Sequence, residues 1–112
     1  MESLLLVDDD ADTLEALKAA LQREGYAVTA VRNSKVALSL LKSTPFDILV
    51  TDGYMPDVTG YELALETRGL QPKIKRFLIS GFYESEDVAK ALFSGHLKKP
   101  IDIEELLALI AR

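Results

Sequence analysis

The sequence contains no cysteine, which excludes disulfides, thiolate-held zinc, iron–sulfur clusters and cysteine nucleophiles. It has no apolar run near the ~18 residues of a membrane span. Its densest stretch, Leu4-Leu5-Leu6-Val7, is strand-sized, and too short and too quickly acidic to be a signal peptide. Positive charge is scarce, with 13 Lys and Arg against 18 Asp and Glu and a net charge of −5. That balance argues against a nucleic-acid partner or an anionic membrane surface, which need clustered cations. There is no low-complexity tract, no linker and no targeting feature, so the cytoplasm is the default expectation. What is present is 112 residues, 48% hydrophobic and 28% charged. This is one domain's worth of chain, able to bury a core and to fold to a radius of gyration of about 13 Å.

Short apolar runs alternate with helical patterns along the whole chain. Leu4-Leu5-Leu6-Val7 reads as a strand buried on both faces. Asp10 can cap a helix carrying Leu14, Leu17 and Leu21, which Gly25 stops. Residues 26–31 alternate as an edge strand does, and Ser34 is the expected cap of a second helix with Val36, Ala37, Leu40 and Leu41 inward, closed by Pro45. Residues 48–50 repeat the buried-strand pattern, and 52–60 are rich in turn residues. A helix is expected over 61–68 with Gly69 as its stop, then a strand over 76–79. Ser85 then caps a helix over 86–94 that Gly95 ends, and His96 and Leu97 form a minimal strand. Asp102 and Glu105 form a capping box for a last helix with Ile103, Leu106, Leu107 and Ile110 on one face. Strands alternating with helices predict the α/β class: a doubly wound parallel sheet with right-handed crossovers.

The polar residues fall where such a sheet places its ligands. Asp8 and Asp9 end the first strand, Asp52 the third, Ser80 the fourth, and Lys99 lies just past the fifth. Open parallel sheets bind ligands outside the carboxyl ends of their strands, where strand order reverses. If the first and third strands are neighbours there, Asp8, Asp9 and Asp52 converge. Three such carboxylates stay ionised together only with a cation among them, and Mg²⁺ is the hard, oxygen-seeking ion that takes a few carboxylates and keeps some waters. Lys99 can add a fixed positive charge and Ser80 a hydroxyl. These are the parts of a phosphoryl-transfer site.

The motifs LLLVDDD, FDILVTDGYMPDVTG, FLISG and LKKPI, in that order, resemble the receiver domains of two-component response regulators from about Leu4 onward. The resemblance implies a single receiver domain over residues 1–112, with a five-stranded sheet of order 2-1-3-4-5. It implies that Asp52 is the phosphoacceptor, taking its phosphoryl group from a phosphohistidine on a sensor histidine kinase or a histidine phosphotransfer protein. Asp8 and Asp9 would hold Mg²⁺ with Asp52, and Tyr54 would offer its backbone carbonyl. Ser80 and Lys99 would bind phosphoryl oxygens, and Lys99-Pro100 is a candidate cis peptide. Catalysis would be limited to the domain's own phosphorylation and dephosphorylation. The output face would be the fourth helix, fifth strand and last helix, switching with the loop over 81–84 and contacting a downstream protein. Tyr54 and Phe82 occupy the positions that tune hydrolysis in the family, and both are bulky. His96 stands where the family commonly has an inward-turning Tyr or Phe. The segment from Ser80 to Lys99 is a few residues shorter than usual.

Blander readings compete at each position. The run Asp8-Asp9-Asp10 could serve only as a helix N-terminus, and Asp52-Gly53 is a common hairpin turn, although no second alternating strand follows. Ser80 alone resembles a loop serine, either Lys98 or Lys99 could point inward, and a single histidine on a short strand is usually a packing residue. Asp8-x-Asp10 after a buried strand also resembles haloacid-dehalogenase-type phosphohydrolases. In that reading Asp8 is the nucleophile and Asp10 the general acid, which leaves Asp52 unexplained.

Overall fold

The computed structural model describes residues 1–81 and 86–112, with Glu86 as backbone alone. Its elements are β1 (Ser3–Val7), α1 (Ala11–Arg23), β2 (Ala27–Val31), α2 (Ser34–Ser43), β3 (Ile48–Asp52), α3 (Gly60–Leu70), β4 (Lys75–Ser80), α4 (Glu86–Leu92), β5 (Gly95–Lys98) and α5 (Ile103–Ala111). The strands pair in parallel in the order β2-β1-β3-β4-β5. This is the doubly wound α/β sheet that the sequence and its resemblance led us to expect, and its radius of gyration is 12.4 Å.

Alternation of side chains along a strand sends neighbouring residues to opposite faces. Leu4 and Leu6 therefore pack with Ile48, Val50, Phe77 and Ile79 beneath α1 and α5. Leu5, Val7 and Leu49 pack on the other face against Ala37 and Leu41 of α2 and Leu63 of α3. A smaller cluster joins α3 to α4 through Tyr61, Ala64, Leu78, Ala89 and Phe93. Because both faces of β1 and β3 are covered, their centres can be continuous apolar runs.

The helix ends depart from the sequence reading in specific ways. Asp10 does cap α1, accepting the Thr13 N–H, and Gly25 adopts φ +95° just past its end. The cap of α2 is Asn33, not Ser34, since the Asn33 side chain takes the N–H groups of Lys35 and Val36. Val36 and Ile103 prove exposed. Thr59 and Glu62 form a reciprocal capping box at α3, and this helix runs through Gly69 to Leu70 because Gln71 ends it instead. The Gln71 carboxamide donates to the carbonyls of Leu41 and Thr44 and accepts from the Phe46 N–H. Gly95 opens β5 rather than stopping α4. A Cβ there would lie 2.6 Å from Leu109 Cδ1, so glycine is what lets α5 lie against this edge. The Ser85 cap, Phe82 and the loop beyond Gly81 fall outside the described residues.

Candidate functional site

The register Val7↔Thr51 between β1 and β3 brings the ends of these strands level. Asp8 therefore leaves the sheet beside Asp52. Asp8 is fully buried and Asp52 nearly so, while Asp9 is exposed. One carboxylate oxygen from each of Asp8, Asp9 and Asp52 lies within 4.8 Å of the others. The three acids singled out from the sequence thus meet at one rim, although they come from two distant stretches of chain.

Lys99 reaches this cluster from the end of β5. Its backbone N–H donates to the Ser80 carbonyl at 2.8 Å, which fixes the start of the side chain. Its Nζ donates to Asp52 Oδ2 at 3.1 Å and stands 2.8 Å from Asp8 Oδ2. The contact to Asp8 is an ion pair at hydrogen-bonding distance, so both acids lean on one ammonium. The other Asp8 oxygen takes the Asp10 N–H at 2.9 Å. Lys98 is exposed, so the choice between the two lysines falls to Lys99. The Lys99-Pro100 peptide is cis.

Burial pushes the Asp52 carboxyl above its ordinary value; Lys99 pulls against this, and the nearby Asp8 charge adds to it. Burial would lower the Lys99 ammonium, but its contacts with Asp8 and Asp52 outweigh that and raise it. Cations are thus in demand here. Three carboxylates offering oxygens within 4.8 Å of one another, two of them sharing one ammonium, fit a hard divalent ion held by Asp8, Asp9 and Asp52.

Backbone packing around Asp52 is tight. The Gly60 N–H donates to the Gly53 carbonyl at 2.9 Å. A Cβ on Gly60 would fall 1.9 Å from the Asp52 carbonyl oxygen, and one on Gly53 would fall 3.0 Å from Ser80 Oγ. Ser80 is itself buried at the end of β4. The Tyr54 N–H donates to Asp52 Oδ1 at 3.4 Å, and its half-exposed ring lies 5.7 Å from that of Tyr61. His96 is partly buried on β5, beside Leu78 in register.

Three neighbours of the site were not singled out from the sequence. Arg32, at the end of β2, donates to the Asp9 carbonyl from Nε and Nη2. Tyr61 packs behind Tyr54, and Ser34 bonds to the turn after Asp52. Only the position of Arg32 after a strand could have flagged it. Asp10 is occupied as a helix cap, bonded to both the N–H and the hydroxyl of Thr13. This ties up the group that the phosphohydrolase reading needs as its acid.

Comparison with known proteins agrees with this geometry. The model of the response regulator receiver domain matches residues 4–111. An uncharacterized 14.6 kDa protein in the sodA1 3′ region of Leptolyngbya boryana is 40% identical over 113 aligned positions, covering 96% of this chain and 86% of that one. The response regulator SaeR of Staphylococcus aureus is 34% identical, over 98% of this chain but only 49% of its own length. This chain therefore spans about half of that regulator. The response regulator TrrA of Thermotoga maritima, solved in complex with Mg²⁺ and BeF, superposes with a TM-score of 0.91 at 28% identity, covering 99% and 97% of the two chains. With five parallel strands in this order and a family match across nearly all its length, the chain belongs to the receiver domains of response regulators.

Proposed function

We propose that the chain is a single receiver domain and a phosphoacceptor switch of the cytoplasm, with Asp52 accepting a phosphoryl group from a phosphohistidine on a sensor histidine kinase or histidine phosphotransfer protein. One observation carries this reading: Asp8, Asp9 and Asp52 gather within 4.8 Å and Lys99 touches two of them. An Asp52 carboxylate oxygen attacks phosphorus as the P–N bond breaks, its electron pair leaving on the imidazole. Asp8, Asp9, Asp52 and the Tyr54 carbonyl would hold Mg²⁺, which when bound neutralises charge on the phosphoryl oxygens. Lys99 exchanges part of its pairing with Asp52 for a phosphoryl oxygen, and the Ser80 hydroxyl donates to another.

Phosphorylation adds close to two negative charges and three acceptor oxygens. Charge-assisted hydrogen bonds contribute about 1.5–3 kcal/mol each, whereas inverting a 1:99 equilibrium takes about 5.5 kcal/mol. Two bonds, from Ser80 and Lys99, supply about 3–6 kcal/mol, which reaches full inversion only at the top of that range. The responding surface is the face formed by α4, β5 and α5, which would contact a downstream protein. His96 there is not assigned the inward-turning role of the family's aromatic residue. Among the described residues no helix is long and apolar enough to cross a membrane.

The test is incubation with Mg²⁺ and acetyl phosphate or beryllofluoride, followed by tyrosine fluorescence and intact mass. Wild type is expected to respond and to gain one phosphoryl group, and Asp52→Asn to do neither. Incorporation that persists in Asp52→Asn and vanishes in Asp8→Asn would overturn the assignment. The bulk of Tyr54 beside Asp52, with Phe82 at the second tuning position, is expected to shield the acyl phosphate from water. A half-life of minutes or longer is expected on dilution into phosphodonor-free buffer, and one of seconds would refute the shielding.

A further inference from the structure

Ser34 stands at the start of α2, where a serine would ordinarily spend its hydroxyl as a cap. Asn33 does that work instead. The Ser34 hydroxyl, 1% exposed, crosses to the turn between β3 and α3, donating to the Pro56 carbonyl at 3.1 Å and accepting from the Val58 N–H at 3.2 Å. These two groups bracket Asp57, whose φ of +72° lies in the left-handed region. Aspartate is among the side chains that tolerate this conformation, and a local Val58 N–H to Pro56 carbonyl bond at 3.0 Å closes the turn over it; the Ser34 hydroxyl ties both of those groups to α2. The rest of the turn is anchored at its neck by the Gly60–Gly53 hydrogen bond and by the buried Met55 side chain, which packs with Ala37 and Leu41 of α2.

We propose that Ser34 is a positioning residue for the phosphoacceptor turn: its one hydroxyl spans the left-handed residue and fixes the path of residues 54–58, and through it the Tyr54 backbone. The inference rests on the reading above in one respect, that the Tyr54 carbonyl contributes to a cation site. Ser34 itself touches neither the acids nor the phosphoryl group. Removing its hydroxyl leaves the Pro56 carbonyl and the Val58 N–H bonded only to each other, at 3.0 Å across Asp57, and cuts the turn's hydrogen bonds to α2. Asp57 can then relax and the Tyr54 peptide can rotate.

Two measurements on Ser34→Ala test this. In titration with Mg²⁺ alone by calorimetry, the dissociation constant is expected to rise about tenfold, the lower end of what losing a ligand's supporting hydrogen bond costs. The phosphorylation rate at saturating Mg²⁺ should stay within about twofold of wild type. In metal-free protein, amide exchange at Tyr54, which Ser34 does not contact, should speed up. Thr67→Ala is the control for general destabilisation, because it removes an equally buried hydroxyl that bonds only within α3, to the Leu63 carbonyl. It should lower the melting temperature and leave both readouts in place. Unchanged Tyr54 exchange in Ser34→Ala, or equal loss of Mg²⁺ affinity in the two variants, would overturn the proposal. Failure of wild type to bind Mg²⁺ would sink the cation reading, and the exchange measurement would still decide the role of Ser34.

Discussion

At the scale of single residues, the site is poised because its charges do not balance. Asp8 and Asp52 share one ammonium, and burial holds the Asp52 carboxyl above its ordinary value of 3.8. A carboxyl raised on folding favours the native state most below its unfolded pKa, and that contribution is lost as pH climbs through the raised, folded value. Asn at position 52 keeps the shape without the charge, and Lys99 retains Asp8. Asp52→Asn is therefore expected to melt at a higher temperature than wild type near pH 7 in metal-free buffer. The gap should shrink as pH falls toward 4, and a pH series of thermal melts measures it. A gap that widens on acidification would contradict the direction of the shift. Exposed Asp9, in contrast, can exchange water for a ligand at little cost, which suits the rim of the site.

At the scale of elements, glycine decides how closely helices approach strand ends. Gly60 lets α3 begin against the Asp52 carbonyl, and Gly95 lets α5 lie on the edge strand. Gly95→Ala is expected to cost about 1–3 kcal/mol by overpacking against Leu109. Leu109→Ala alone should cost about 2–5 kcal/mol through the cavity it leaves. The double variant should lose less than the sum, by about 0.5 kcal/mol or more, as read from urea unfolding. Additive losses would mean that Leu109 does not limit position 95. These contacts also explain two misread glycines. As single letters Gly69 and Gly95 look like helix stops, but one is carried inside α3 by the Gln71 hydrogen bonds beyond it. The other is set by a side chain from a helix late in the chain.

At the scale of the whole molecule, one cation would act on global stability, since it would bind past the ends of β1 and β3, two strands from distant stretches of chain. A ligand that binds only the folded state at a hundred times its dissociation constant stabilises by about 2.7 kcal/mol. Mg²⁺ at that level is expected to raise the melting temperature by several degrees. Matched ionic strength with NaCl controls for screening of the net −5 charge. Asp52→Asn should lose most of the increment. An equal rise in both proteins would point to screening rather than a site.

The sequence by itself determined the alternation of strand and helix, because burial on both faces demands apolar runs and burial on one demands helical spacing. It also placed Asp8, Asp9, Asp52, Ser80 and Lys99 at strand ends, because the apolar runs stop there. Strand order came from resemblance, because the linear alternation that predicts a parallel sheet does not say which strands are neighbours in it. Resemblance pointed to Lys99 as the inward lysine; tertiary structure alone decided that Asn33 rather than Ser34 caps α2 and that the freed hydroxyl reaches the Asp52 turn. The Ser34 hydroxyl finds its partners 22 and 24 residues away, and local propensity carries no information about a partner brought near only by folding.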